Sequence, residues 1–290
     1  MTEGTLAPNG LPVLTDREFV QFQQLIHREA GIWLAETKRA LLIGRLARRL
    51  RDLGLDSFGA YHRRALEDPA ELVLLLDAVA TNETSFFREP LQFELLADRL
   101  CPAWEAEAAA GHRPRRLKVW SAACSSGEEP YTLAMLLHDR LAPHGWTIDI
   151  LASDISTRVL DKSRAGIWPL EKTRGIPPEM LRRYMLRGTG PEEGRAKAGP
   201  AIRDLIRFAR INLRESSYPV HGPFDAVFCR NVLIYFDTPS RHEVLRRLMG
   251  LLVPGGYLFL GHAESLLGMS ERVQSLMPAV YQVAGAGVAA

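Results

Sequence analysis

Apolar residues at helical spacing dominate the first 80 positions of the chain. Thr15 and Glu18 form a capping-box pattern, and apolar side chains then recur every three or four residues until Gly31. Three further stripes of the same kind follow before residue 80. The pattern predicts a small all-α domain over 15–80, preceded by a flexible leader, 1–14, that is rich in Gly and Pro.

Short apolar runs that alternate with amphipathic segments characterise the rest of the chain. Runs at 116–122, 147–153, 224–229 and 257–261 predict strands, with helical segments between them. This order is typical of an α/β fold, a Rossmann-like and mostly parallel sheet with helices on both faces. The sheet domain is predicted over 116–290, with 81–115 as a linker and connecting helix, and antiparallel strands are expected around Tyr281.

A segment at about 178–210 interrupts this alternation. Gly188, Gly190 and Gly194 lie close together and predict a sharp turn between strand-like runs. The last of these runs covers 205–211. We predict a small antiparallel β insert, either a hairpin or a three-stranded sheet.

Composition and charge narrow the class of protein. The 290 residues suffice for two domains, and 47% hydrophobic with 24% charged residues is ordinary for a globular protein. A net charge of +2 does not favour nucleic acid as a partner. The three cysteines are far apart and form no CxxC pair, so neither a metal site nor a disulfide is expected. With no signal-peptide pattern and no membrane-length apolar run, we expect a cytoplasmic protein without membrane insertion.

The loop after the first predicted strand carries the main chemical signal. Residues 122–127 are all small, Glu128 and Glu129 follow, and Pro130 suits the first turn of a helix. A strand, a small-residue loop and a helix form the first unit of a nucleotide-binding sheet. The loop lacks both the GxGxxG pattern and a lysine for a triphosphate. Its acids instead fit a positively charged nucleoside, such as S-adenosylmethionine.

Acidic residues at this end of the sheet have two interpretations each. Asp154 follows the second strand, where a carboxylate holds both ribose hydroxyls in nucleotide folds, or it caps the next helix. The loop upstream favours the ribose. Glu128 and Glu129 either face the positive charge of the ligand or are simple first-turn acids.

Two further strand ends carry candidate polar residues. Asn212 could bind an adenine edge, although the residue alone favours a turn asparagine. Arg230 and Asn231 follow the third strand, at the end where such sheets bind ligands. Cys229 has no His or Asp motif around it and is interpreted as a small buried residue.

Four cations fall on one face of the second helix. Lys38, Arg45, Arg48 and Arg49 have no interleaved acid on that face. Such a face is either solvated or a surface for a partner, and the sequence leaves both open.

Four segments together resemble the motifs of the chemotaxis receptor methyltransferases, the CheR family. They are Thr81–Glu89 (TNxTxFFRE in the family), Trp120–Tyr131 (WSAAxSxGEEPY), Cys229–Asp237 (CRNVxIYF) and Gly261–Ser265 (GHxES). The resemblance covers about 15–283. It implies an S-adenosylmethionine-dependent methyltransferase domain behind the helical domain, and methyl transfer to glutamate side chains of bacterial chemoreceptors with S-adenosylhomocysteine as product.

The resemblance also implies roles for particular residues. The cofactor contacts would be Asn82, Thr84, Arg88, Ala122, Glu128, Asp154, Asn212, Leu213, Asn231 and Val232. Arg88 and Arg230 are the candidates for positioning the acceptor carboxylate. The insert with Gly188, Gly190 and Gly194 looks like the family's β-subdomain, and its glycine-rich loop resembles that of members that dock on a receptor's C-terminal pentapeptide. The basic face of the second helix looks like the surface that meets the receptor's methylation helices, and a monomer is expected.

Two other functions are compatible with the same residues. One is methyl transfer to another protein, a small molecule or RNA. The other is a receptor adaptor that binds the cofactor without turnover. Nucleic-acid binding by the basic helix would show a steep dependence on salt.

Overall fold

The computed structural model describes residues 12–80, 82–266, 269 and 273–284. Nearly all of the predicted leader, 1–14, therefore lies outside the described residues. The helices are α1 Asp16–Ala30, α2 Arg39–Leu53, α3 Phe58–Glu67, α4 Pro69–Val79, α5 Pro90–Leu95, α6 Cys101–Ala109, α7 Glu128–Leu141, α8 Thr157–Ala165, α9 Pro178–Tyr184, α10 Pro200–Arg203 and α11 Thr238–Gly250. The strands are β1 Arg116–Ala122, β2 Thr147–Asp154, β3 Ile167–Pro169, β4 Met185–Arg187, β5 Arg195–Ala198, β6 Ile206–Arg210, β7 Phe224–Cys229, β8 Leu252–Leu260, β9 Val273–Met277 and β10 Val280–Val283.

The first four helices pack around one apolar core, as predicted. Phe19, Phe22, Leu46 and Tyr61 are fully buried in it. The predicted capping box at Thr15 is present, and Gly31 ends α1 in the left-handed conformation. Helix boundaries follow the caps because each cap satisfies backbone groups that the helix itself leaves free.

The main sheet has seven strands in the order β6-β2-β1-β7-β8-β10-β9. The strands from β6 to β8 pair in parallel, whereas β10 pairs antiparallel with both β8 and β9. Alternate residues of β1 enter different cores: Val119 packs on the face that α7 covers, and Trp120 on the face that α11 covers. The mostly parallel sheet and its antiparallel tail are confirmed.

An antiparallel insert is present, but both of its predicted bounds, about 178 and 210, are wrong. Its sheet has three antiparallel strands in the order β3-β5-β4, so it begins with Ile167–Pro169 and ends at Ala198. The run at 205–211 forms β6, which pairs in parallel with β2 in the main sheet. A short apolar run fits either sheet, and the tertiary pairing decides between them.

Buried polar contacts join the two domains. Asp77 in α4 accepts hydrogen bonds from the Thr157 backbone N–H (2.9 Å), the Thr157 hydroxyl (2.7 Å) and the Arg158 N–H (3.3 Å). The carboxylate thus lies at the positive end of α8, which stabilises it there. Across the same boundary, His27 Nε2 lies within hydrogen-bond distance of Asp237 Oδ2, at 2.7 Å.

Candidate active site

A cavity lies at the carboxyl ends of β1, β2, β6 and β7 and is closed on one side by the N-terminal domain. Ala30, Ile32 and Val79 form that side of the wall. Of the residues predicted to contact a cofactor, the cavity brings together Asn82, Thr84, Arg88, Asp154, Asn212, Leu213, Asn231 and Val232. Ala122 and Glu128 do not line it. The predicted candidates Arg88 and Arg230 both do.

The small-residue loop curls tightly over the end of β1. Ala123, Ser125 and Gly127 all have left-handed φ values, of 66°, 51° and 100°. Small residues tolerate this backbone, and a Cβ at position 127 would collide with Ser163. Ala122 is buried beneath the loop, which explains why it lies outside the cavity wall.

Asp154 orders this loop from the end of β2. Its Oδ2 accepts from the Ser125 backbone N–H at 2.9 Å, and its Oδ1 accepts from the Ser156 N–H at 3.0 Å. The helix N-cap is Ser156, so the capping alternative for Asp154 is wrong. Burial raises the pKa of Asp154, against the effect of those N–H donors. A carboxylate oxygen can accept more than one hydrogen bond, so Oδ1 and Oδ2 of Asp154 both remain able to accept from ribose hydroxyls.

Glu129 is the acid of the pair that faces the cavity. Its Oε1 accepts from the Ser121 hydroxyl at 2.7 Å, and its Oε2 from Arg230 Nη1 at 3.0 Å. Burial raises the pKa of Glu129, while Arg230 lowers it. The Glu128 carboxylate instead bonds the hydroxyl of Ser126 at 2.8 Å. A cation in the cavity would therefore face Glu129.

Arg230 is held by carboxylates rather than free to bind an acceptor. The Arg230 side chain is only 2% exposed, and it pairs with two carboxylates, those of Glu129 and, at 3.2 Å, of Glu89. It also donates a hydrogen bond to the Arg88 carbonyl. Arg88 is half-buried and donates to the Glu83 carbonyl at 3.0 Å. Of the two predicted positioning arginines, only Arg88 is not already held by a carboxylate.

Glu264 supports the Asn231 loop, a role that the sequence did not reveal. Its carboxylate accepts from the backbone N–H groups of Asn231 (2.8 Å), Leu233 (2.7 Å), Ile234 (3.2 Å) and Gly261 (2.7 Å). Asn231 is thereby held with a left-handed φ of 58°. Glu264 lies within the Gly261–Ser265 motif, so the sequence marked this segment, but it gave no role for the glutamate.

Asn212 serves the turn and the domain boundary. Its Oδ1 accepts from the Arg214 N–H at 3.0 Å, as expected for a turn asparagine. Its Nδ2 donates to the Glu29 carbonyl in α1 at 2.6 Å. An adenine contact would use the second N–H of Asn212 Nδ2 or the second lone pair of its Oδ1.

Two of the four predicted cations, of which Lys38 lies just before α2, are not free for a partner. Arg49 forms a bidentate pair with buried Glu71, and Arg45 donates to the carbonyls of Val79 (2.7 Å) and Ala80 (3.1 Å). Burial lowers the pKa of Arg45. The predicted acid-free face is therefore wrong for Arg49, whose acid comes from α4, whereas Arg45 is held by backbone carbonyls at the end of α4. Lys38 and Arg48 are exposed.

The cavity fits a cationic adenosyl ligand. The Nδ2 atom of Asn82 is buried without a hydrogen-bond partner. Asp154 can hold a ribose, Glu129 can face a positive charge, and the loop lets a ligand approach the backbone closely. The Rossmann-like sheet and this site define an S-adenosylmethionine-dependent methyltransferase.

Comparison with known proteins identifies the family. The model of the CheR methyltransferase SAM-binding domain matches residues 82–281, and that of the CheR methyltransferase all-alpha domain matches residues 17–80. The chain belongs to the CheR methyltransferase family.

Several relatives are similar along most of their length. Chemotaxis protein methyltransferase 2 of Pseudomonas aeruginosa is 43% identical over 93% of this chain and 94% of its own. The chemotaxis protein methyltransferases of Salmonella typhimurium (45%; 87% and 85%) and Escherichia coli (44%; 89% and 88%) are comparably similar. Among solved structures, the glycopeptide N-methyltransferase MtfA with S-adenosylmethionine is 20% identical, covers 61% of this chain and 62% of its own, and has a TM-score of 0.32.

Within the described parts of the chain, no helix is long and apolar enough to cross a membrane. The same residues contain no cluster of side chains that could hold a metal ion.

Proposed function

We propose that this chain, as a cytoplasmic monomer, transfers the methyl group of S-adenosylmethionine to glutamate side chains in the cytoplasmic domains of bacterial chemoreceptors. The observation that supports this most is the acid-lined cavity between the two domains, because it joins residues from three of the four family motifs. Asn82, Glu129 and Asn231 each come from a different motif. Its relatives, the chemotaxis protein methyltransferases, point to the same pathway.

The reaction needs little acid–base chemistry from the protein. S-adenosylmethionine supplies a methyl group that its sulfonium already activates. A glutamate acceptor has a reference pKa of about 4.3 and is ionised at neutral pH without a general base. The residues of the chain must therefore orient the acceptor and exclude water from it.

We assign the orienting role to Arg88 and the holding of Glu129 to Arg230. The Arg230 guanidinium is already neutralised by Glu89 and Glu129. A tight ion pair would also lower the nucleophilicity of the acceptor carboxylate. A half-buried arginine that lines the cavity, such as Arg88, can guide the acceptor without such a buried pair.

A methyl-transfer assay tests the function directly. The purified protein is incubated with methyl-labelled S-adenosylmethionine and the cytoplasmic fragments of chemoreceptors from its host. We expect label on the receptor that mild alkali releases as methanol, since glutamate methyl esters hydrolyse readily. Cofactor binding without transfer would instead identify an adaptor, and alkali-stable label would identify another acceptor group.

Two exposed cations, Lys38 just before α2 and Arg48 within it, are proposed to meet the acidic methylation region of the receptor. The double variant K38E/R48E is expected to raise the receptor KM about twofold to thirtyfold at low salt, because each of the two exposed ion pairs contributes roughly 0.2–1 kcal/mol. Its affinity for S-adenosylmethionine should not change. Arg48 is 85% exposed, with Asp52 at 3.8 Å.

Arg246 in α11 offers a matched control for that variant. It is 68% exposed and also lies 3.8 Å from a carboxylate, that of Glu243. R246E should leave the receptor KM unchanged. If K38E/R48E methylates receptors like the wild type, α2 is a solvated face.

The three-stranded insert is proposed to tether the enzyme to a receptor's C-terminal pentapeptide. Strand β4 lies at the edge of the β3-β5-β4 sheet, and its Leu186 is 56% exposed. An extended peptide can add to such an edge, which raises the enzyme's effective concentration near its substrate. Gly188 packs so closely on Glu192 that a Cβ would clash, while Gly190 and Gly194 have φ values of 57° and 82°.

Calorimetry against the C-terminal pentapeptides of the host's chemoreceptors tests the tether. We expect at least one peptide to bind. Leu186→Glu should weaken that binding about tenfold, since burying a leucine side chain contributes roughly 1.5–3 kcal/mol. If no peptide binds while intact receptors are methylated, the insert is not a tether.

A further inference from the structure

Trp168 joins the insert to the small-residue loop of the active site. It lies in the middle of β3 and is 4% exposed. Its indole Nε1–H donates to the backbone carbonyl of Ser126 at 3.2 Å. The first strand of the insert is therefore bonded directly to the loop that follows β1.

The same indole also contacts two aromatic rings. Its ring packs edge-on against Phe86, with ring centroids 5.1 Å apart, and against Tyr131, at 4.9 Å. Phe86 belongs to the segment that carries Asn82, Thr84 and Arg88. Edge-to-face pairs at these distances are favourable beyond simple burial, so one side chain braces two walls of the cavity.

The backbone beyond β3 reinforces this contact. Gly175 packs against Phe86 so closely that a Cβ would lie 2.5 Å from the Phe86 carbonyl oxygen. The insert thus contacts Phe86 from two positions, Trp168 and Gly175.

We propose that Trp168 is a positioning residue for the cofactor: it fixes the small-residue loop relative to the Phe86 segment, so that the insert contributes to cofactor affinity. This inference rests on the proposed function only for the identity of the cofactor, S-adenosylmethionine. It gives the insert a second role besides any peptide docking.

The variant Trp168→Phe tests this, because it removes the indole N–H and keeps an aromatic ring. Loss of the hydrogen bond leaves the Ser126 carbonyl without that donor and loosens the loop. Calorimetry should show affinity for S-adenosylmethionine reduced roughly tenfold. The KM for the receptor at saturating cofactor should stay within about twofold of the wild-type value, a split that a general loss of stability would not produce.

Trp104→Phe is the matched control. Trp104 in α6 is as buried, at 3% exposed, but it packs on Tyr257 and Arg113, which belong to segments that do not line the cavity. Both variants should lose similar thermal stability, whereas only W168F should lose cofactor affinity.

A second variant keeps the proposal testable if W168F folds poorly. Phe86→Leu removes the edge-on contact without touching the indole, and it should also weaken cofactor binding. Unchanged cofactor affinity in folded W168F or F86L, or an equal loss in W104F, overturns the positioning role. Failure of the wild type to methylate receptors would instead count against the proposed function, whatever these variants bind.

Discussion

Asp154→Ala is expected to reduce the affinity for S-adenosylmethionine about tenfold to a hundredfold. Removing a charged hydrogen-bond partner costs roughly 1.5–3 kcal/mol, and the ribose hydroxyls would then be buried without an acceptor. The Ser125 N–H also loses its acceptor, which loosens the small-residue loop. Calorimetry with the purified protein measures the change, and circular dichroism checks that the fold is retained.

Asp149→Ala provides the control from the same strand. Its carboxylate pairs with Arg207 at 2.8 Å on the surface, where such a pair contributes little. Cofactor affinity should therefore be unchanged in D149A. An unaltered dissociation constant in folded D154A would remove Asp154 from the proposed ribose site.

Arg49→Ala is expected to destabilise the N-terminal domain by roughly 3–5 kcal/mol, because it leaves a buried carboxylate without its cation. The Glu71 side chain is 3% exposed, and Arg49 bonds both of its oxygens, at 2.7 and 2.5 Å. Replacing both partners, as in R49M/E71L, should recover most of the loss since neither charge is then buried. Urea unfolding measures these free energies.

Arg48→Ala is the neighbouring control. Arg48 is 85% exposed, so its substitution should change the free energy of unfolding by no more than about 0.5 kcal/mol.

The pH dependence of stability gives a second check on the Arg49–Glu71 pair. The hydrogen bond with Arg49 lowers the pKa of Glu71, so this stabilisation is complete above the unfolded-state pKa and disappears as the pH falls through the folded-state pKa. R49A should lack that part of the acid sensitivity. A loss below about 1 kcal/mol in R49A would contradict the buried pair.

Local signals in the sequence predicted most of the elements and much of the site. The capping box at Thr15, the glycine at 31 and the small-residue loop are interpretable because neighbouring residues decide these structures. The position of Asp154 and Asn231 in the cavity wall was predictable because both follow strands, and ligands bind at the carboxyl ends of parallel strands.

Contacts between distant residues were the part that the sequence could not reveal. Arg49 and Glu71 lie on different helices, so the pattern on α2 alone suggested a free cation. The run that forms β6 matched either sheet until its pairing with β2 was known. Trp168 stands in a strand of three residues with no periodicity, and only the fold brings it to Ser126.

The bonds of Asp77 to the start of α8 also limit how domains of this family can be exchanged. A hybrid that joins the N-terminal domain of a relative to this methyltransferase domain must present an acceptor to the Thr157 and Arg158 N–H groups. Without one, these N–H groups at the start of α8 would lose their acceptor beside the cavity wall that Val79 and Ala80 form. Exchange points inside this boundary should therefore give poorly folded hybrids, whereas exchanging α4 and α8 together preserves the junction.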